Sequence, residues 1–298
     1  MKIKRFNRRK AVNLLINTFQ LILVFGFCYV ILKPIVQYVF YAFMSPEDFN
    51  DFTVSNIPKN WSFYNWRKAA ELMDLIGMTG FRSLFLSVTV ALLQMISSII
   101  IGYGLARFEF KGKKILIVML FAVMLVPPSV LQLSQYFQFR FFGIDSISLN
   151  FINTLFPNYI LSACGLGLKQ ALYIFLMRSM FMQLPNDLEN AAYIDGATIF
   201  KTFISVMVPN ARSLMITVFL FSFCWTWTDV TYATAFYPNL SLLSNQLVLI
   251  GGKLHAAGGN EGTVVYGGML LMMIPMLILM AFCQKHIVKS IAMSGLAN

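Results

Sequence analysis

Apolar residues in this chain come in long runs, and the polar ones gather into a few intervals between them. Six stretches read as membrane-crossing segments, at residues 14–40, 85–105, 115–131, 155–182, 214–232 and 264–282. Each can cross the ~30 Å hydrocarbon core with ~20 helical residues, tilt taking up any excess. The fourth holds Cys164-Gly165-Leu166-Gly167-Leu168 and is predicted to be a broken helix. The first is too long, and too basic at its start, for a cleaved signal. No small-residue cleavage site follows its core, so it is expected to be retained. The pattern predicts an all-α integral membrane protein. A basic N-terminus covers 1–13 and a single transmembrane domain covers 14–298, without repeats or low-complexity tracts.

One polar interval differs from a simple connector. Residues 185–209, PNDLENAAYIDGATIFKTFISVMVP, are helix-forming and lie between two strongly apolar regions. Asn186 or Asp187 is placed to cap a first helix over 188–194. Asp195-Gly196 breaks it, because glycine accepts the positive φ of a sharp turn. Thr198 is placed to cap a second helix, and Pro209 is expected to close the segment. A helix–Gly–helix on a membrane face is a shape that plugs into another protein.

Composition agrees with the span pattern. Hydrophobic residues make up 58% of the 298, charged residues 12%, and mean hydropathy is +0.70. That charge density is about half the globular average, too little to make a soluble surface of this size polar. The sign of the charge then orients the chain. With six crossings, fifteen of the 23 basic residues and four of the twelve acids fall on one side, which carries the whole net charge of +11. The positive-inside rule makes that side cytoplasmic, with both termini on it. These charges read as topology and lipid-headgroup contact. No basic stretch is interleaved with aromatics in a soluble domain, so nucleic acid is not an expected partner.

Enzymatic chemistry finds little support. No G-x-x-x-x-G-K-[ST] loop is present: Gly112-Lys113-Lys114 lacks the upstream glycine and the hydroxyl, and Gly251-Gly252-Lys253-Leu254 fails as well. The two histidines, His255 and His286, have no metal-ligand spacing with each other or with a cysteine. Cys28, Cys164, Cys224 and Cys283 lie singly in apolar stretches and read as small buried hydrophobes. No catalytic, cofactor or metal site is expected in this chain.

The 185–209 interval resembles the cytoplasmic coupling loop of ABC importer permeases, E-A-A-x3-G-x9-I-x-L-P. Ala191 and Ala192 are the double alanine, Gly196 is the glycine, and Val206, Val208 and Pro209 fill the I-x-L-P end. Asp195-Gly196-Ala197 matches the D-G-A common in that class. The departure is Asn190 in place of the motif glutamate, with Glu189 one step earlier. The resemblance extends over most of the chain. Tyr103-Gly104-Leu105-Ala106-Arg107-Phe108-Glu109-Phe110-Lys111-Gly112 looks like the end of the second span of carbohydrate uptake permeases. Val126-Pro127-Pro128 resembles their third-span proline pair, and Phe175-Leu176-Met177-Arg178 the run into the loop. Trp227-Thr228-Asp229 resembles a W-N-D signature, and the ending Ile287-Val288-Lys289 with Gly295 is also similar.

In order along the chain these are similar to the six-span, shorter partner of a maltose/oligosaccharide-type pair, a type I ABC importer permease. The resemblance implies half of a translocation pathway in a bacterial inner or plasma membrane. It implies a second homologous permease, two cytoplasmic ATPase subunits that carry the ATP and Mg, a solute-binding protein outside, and a carbohydrate, in particular an oligosaccharide, as substrate. It places coupling on Glu189, Asn190, Ala191, Ala192, Asp195, Gly196, Ala197 and Pro209. A non-sugar solute of the same class, such as a polyol or phosphodiester, is an alternative. An ion-coupled secondary transporter is another, but only Asp229 offers the intramembrane carboxylate that it needs.

Three residues are candidates for the substrate pathway, each with a plainer reading beside it. Asp229 could accept hydrogen bonds from sugar hydroxyls or simply order its segment. Lys169 follows the glycine interruption and could reach water or a ligand, or snorkel. Trp227, with Trp225, Tyr232 and Tyr237, could stack on sugar rings or form an aromatic belt, the better fit to its place. Outside, residues 44–80, with a short helix expected at 66–73, and 238–263 could meet the solute-binding protein or be solvated connectors.

Overall fold

The computed structural model describes residues 8–144, 147–256 and 262–295. Lys2, Lys4 and Arg5 of the basic N-terminus and the Gly258-Gly259 pair lie outside the described residues. Contacts divide the chain into two compact units: Met1–Ala69 with Gly251–Leu271, and Ala70–Ile250 with Met272–Asn298.

In the first unit the apolar run of the first predicted span forms α1 (Arg8–Phe43), followed by the short α2 (Pro46–Asn50) and by α3 (Tyr64–Leu72). Ser45 caps α2 by accepting from Asp48 N at 3.1 Å. Asp48 then accepts from Asn60 N at 2.7 Å, and this bond holds its carboxyl below the usual range. Asp51 accepts from Thr53 N and Oγ1 and from Lys59 Nζ, and its pKa is lowered to about 2. The expected 66–73 helix is therefore present as α3. Its fully buried Asn65 donates to the carbonyls of Tyr41 and Met44 and accepts from Thr263 Oγ1.

The second unit is organised by α4 (Met78–Arg107), followed by α5 (Lys113–Leu125) and α6 (Pro128–Arg140). A short antiparallel ribbon comes next, β1 (Phe142–Ile144) and β2 (Ile147–Leu149), then α7 (Phe156–Ala163) and α8 (Gln170–Gln183). After α9 (Asp187–Ile194) and α10 (Ile199–Thr202), a π-helical turn at Phe203–Met207 leads into α11 (Val208–Thr228). The chain closes with α12 (Thr231–Phe236), α13 (Leu243–Ala256) and α14 (Gly262–Gly295). Long α4 packs mainly against α8 and α11. One core cluster, with Leu86, Val90, Phe139 and Phe236, lies along the first half of α4; a second, with Ile99, Tyr103, Met177 and Met207, lies along its last half. A side chain at Gly102 would bring Cβ within 2.7 Å of Met177 Cβ and 2.9 Å of Arg178 N. The missing side chain is what lets α4 and α8 approach so closely.

The fold is overwhelmingly helical, and among the described residues four helices are long and apolar enough to cross a membrane, or five with one bent pair counted as a span. Several expected elements differ in detail. The 115–131 segment is not one helix: α5 and α6 meet at 104°. Pro127 and Pro128 account for the break, since neither offers an N–H and each restricts the residue before it. The 155–182 segment is interrupted as expected, between α7 and α8. Pro209 does not close the second helix of 185–209: helix runs on from Ile199 to Thr228. The π turn just ahead of Pro209 rearranges the carbonyls that its missing N–H would have left open. The 238–263 connector is partly helical, because Leu243 and Ile250 fall on one face of α13 and are fully buried.

Candidate functional site

The helix–Gly–helix is built from its termini. Gly196 has φ of +78° and ends α9. Ala197 N donates to Ala192 O at 2.9 Å and Gly196 N to Tyr193 O at 3.0 Å, the paired bonds of a Schellman turn. Thr198 Oγ1 accepts from Lys201 N at 3.3 Å and caps α10, as its place in the sequence predicts. Asn186 occupies the first cap without a side-chain cap bond; its amide oxygen goes to Arg107 instead.

Asn190, Ala191, Asp195, Gly196 and Pro209 are exposed, and Ala192 and Ala197 half-buried. The exposed surface is unexpectedly apolar for a water-facing turn: Ile194 is 86% exposed and Phe200 71%, with Tyr193 and Ile199 beside them. Glu189 behaves differently from its neighbours. It is buried and turned inward, accepting from Tyr103 Oη at 2.8 Å and pairing with Arg107 Nε at 3.1 Å. Arg107 also donates to Leu184 O at 2.7 Å. Nearby, exposed Glu109 pairs with Lys113 at 2.7 Å, which holds its carboxyl below the usual range.

The second constellation surrounds the interruption between α7 and α8. Breaking a helix in a buried place frees backbone groups that need partners. Here buried polar side chains supply them. Ser162 O accepts from Ser97 Oγ and Gln170 Nε2, both at 2.8 Å. Gly167 N donates to Gln170 Oε1 at 2.8 Å, and Leu168 O accepts from Gln94 Nε2. Ser222 Oγ of α11 completes the set by donating to Gln94 Oε1 at 2.5 Å. Sequence reasoning missed this network; its signal was two glutamines and several serines inside otherwise apolar runs.

Lys169 stands at the end of the interruption with φ of +58°, its Nζ 5.1 Å from the Trp225 ring centroid. It lines a cavity of about 170 Å³ with Val123, Met124, Pro128, Leu166 and Tyr232. Asp229 is not beside it there. Its carboxylate accepts from Thr231 N and Tyr232 N and so holds the start of α12, while lining a water-sized pocket with Gln94 and Thr226. Trp227 is buried, stacked on Phe223, and its indole N–H donates to Met272 O at 2.9 Å. Tyr232 and Tyr237 are also buried, so only Trp225 of the four aromatics is exposed as a belt residue would be. The four thiols are free, and Cys28 and Cys164 are exposed on the isolated chain rather than buried. Among the described residues no group of His, Cys, Asp and Glu could hold a metal ion.

With this geometry in hand, four similarities bear on the chain. Its sequence is 28% identical over 241 residues to the diacetylchitobiose uptake system permease protein NgcG of Streptomyces coelicolor, covering 80% of this chain and 75% of that one. It is 25% identical over 242 residues to the arabinooligosaccharides transport system permease protein AraQ of Bacillus subtilis, 80% of each chain. Its fold matches a chain of a crystal structure of a bacterial ABC transporter involved in import of the acidic polysaccharide alginate. The TM-score is 0.71 with 19% identity, over 96% of this chain and 99% of that one. Residues 94–293, from mid-α4 through most of α14, match the family model itself. The chain belongs to the binding-protein-dependent transport system inner membrane components, a family of transport permeases rather than enzymes.

Proposed function

We propose that this chain is one permease subunit of an ATP-driven carbohydrate importer, with an oligosaccharide as its substrate. The observation that carries the reading is the 185–209 segment: a turn rigidly capped at Gly196 and Thr198, presenting Ile194, Ile199 and Phe200 to solvent. Exposed apolar groups of this size on a polar turn suit a protein partner that covers them. That partner is a pair of cytoplasmic ATPase subunits, which supply the ATP and Mg chemistry for which this chain has no phosphate loop. The chain itself then needs no cofactor.

Six crossings follow if the bent α5–α6 and the interrupted α7–α8 each count as one, with α1, α4, α11 and α14 as the others. Both termini are then cytoplasmic. The 170 Å³ cavity is smaller than the ~300–1,000 Å³ of a typical ligand pocket. A second, homologous permease facing it would complete a saccharide-sized path. Lys169, with Trp225 beside it, is the group we place on that path. Asp229 and Trp227, already bonded within the chain, shape it from behind. The names of NgcG and AraQ support a saccharide cargo, and the family's description supports its delivery by an external solute-binding protein.

The test is ATP hydrolysis by the reconstituted complex with its solute-binding protein. Chito-oligosaccharides, arabino-oligosaccharides, raffinose and alginate oligosaccharides would be offered in turn. Stimulation by one of them is expected. Stimulation only by a polyol or a phosphodiester would replace the carbohydrate reading with the non-sugar one.

A further inference from the structure

We propose that Arg107, Glu189 and Tyr103 form a clamp that fastens α9 to the end of α4 and carries movement of the helix–Gly–helix into the membrane. The inference rests on the coupling reading above and adds the route by which that coupling leaves the loop. The clamp adds side-chain bonds to the chain connection at Leu184–Asn186, around Pro185, that leads from α8 into α9. With it, three separate anchors converge on α4: Glu189 to Tyr103 at 2.8 Å, Glu189 to Arg107 at 3.1 Å, and Arg107 to Leu184 O at 2.7 Å, with Asn186 bonded to the same guanidinium.

The chemistry suits a rigid joint. The Arg107 and Glu189 side chains are only 11% and 10% exposed. Desolvating two charges is expensive, and an apolar pair of similar size is often as stable. What the guanidinium adds is direction: its two terminal nitrogens bond Leu184 O and Asn186 Oδ1 while Nε faces the Glu189 carboxylate, so the entry to α9 is held at several points where an apolar contact would let it slide. Helix dipoles favour the arrangement, since Arg107 ends α4 and Glu189 lies in the first turn of α9. Tyr103 is itself immobilised by the rings of Phe108, Phe181 and Phe203 at 4.7–5.6 Å. Glu189 thus points away from any docked partner, and Asn190, at the motif position, is the neutral residue left on the exposed side.

The double variant R107Q/E189Q is the informative one, because it removes both charges and strands neither. It would be reconstituted with the second permease and the ATPase subunits. Spin labels at Leu84→Cys on α4 and Leu277→Cys on α14, in a background without native thiols, report the distance change on trapping with MgATP and vanadate. This readout needs no knowledge of the cargo. The expected result is assembly at normal yield and continued ATP hydrolysis, with most of the distance change lost. Tyr103→Phe, which keeps the ring contacts, is expected to reduce it in the same direction. An unchanged distance response in the double variant overturns the clamp. Failure of the double variant to assemble makes the pair a folding element and also overturns it. If the ATPase subunits fail to bind even the wild-type chain, the coupling reading falls, and the clamp falls with it.

Discussion

Gly196 and Gly102 show two different reasons for the same residue. At Gly196 the requirement is conformational: φ is +78°, yet an added Cβ would meet nothing within 4 Å. Gly196→Asn is therefore expected to leave transport nearly intact, because asparagine visits the left-handed region readily. Gly196→Val should cost ~1–2 kcal/mol or more at that turn and abolish uptake while the protein still inserts. Uptake by proteoliposomes containing equal amounts of each variant checks the pair. At Gly102 the requirement is space. Gly102→Leu should overpack the α4–α8 crossing by about 1–3 kcal/mol, seen as a lower midpoint for thermal unfolding in detergent. Glu189 illustrates what sequence hides at this scale. Its position one step before the double alanine is plain in the sequence. That it faces inward depends on Tyr103 and Arg107, some eighty residues earlier, and no local pattern reports that distance.

Helices in this chain are defined as much by how they are interrupted as by where they run. The α7–α8 break survives because Gln94, Gln170 and Ser97 satisfy the freed backbone, with Ser222 holding Gln94 in place. Gln170→Ala should leave Gly167 N and one of the bonds to Ser162 O unmade, destabilising the fold by about 1–3 kcal/mol. Gln170→Glu, which keeps the acceptor for Gly167 but loses the amide donors, should fall between if it stays neutral. Thermal unfolding of the solubilised variants gives the order. The interruption itself was legible in the sequence, from Gly165 and Gly167. The turn at Gly196 and the cap at Thr198 were legible for the same reason, since their chemistry is local. The fate of Pro209 was not. A proline after a polar stretch reads as a stop, yet here a π turn absorbs it, and only the packing of Met207 and Ala211 against α4 and α8 decides between the two. The 104° bend at Pro127-Pro128 has a local cause but an angle that tertiary contacts set.

At the scale of the whole molecule, the apolar runs carry the membrane class, and the motif resemblance carries the family. The match covers residues 94–293, and the segments singled out between Tyr103 and Lys289 lie inside it. Subunit partnership is less legible, because surfaces that face lipid and surfaces that face protein are equally apolar. The exposed tip is the exception, since it lies beyond the predicted spans. Phe200→Asp should sharply reduce co-purification of the ATPase subunits without changing membrane insertion. Unchanged co-purification would place the docking surface elsewhere.

The unbroken helix from Ile199 to Thr228 has a mechanical consequence. At ~1.5 Å per residue it is a rod about 45 Å long. One end carries Phe200, and Trp225, the neighbour of Lys169, lies near the other. A swing of about 10° around its midpoint displaces each end by ~4 Å, in opposite directions. A shift of that size at the far end is comparable to the thickness of a sugar ring. On the coupling reading, a push at the tip would be converted by this lever into the opening or closing of a gap at the Lys169 cavity.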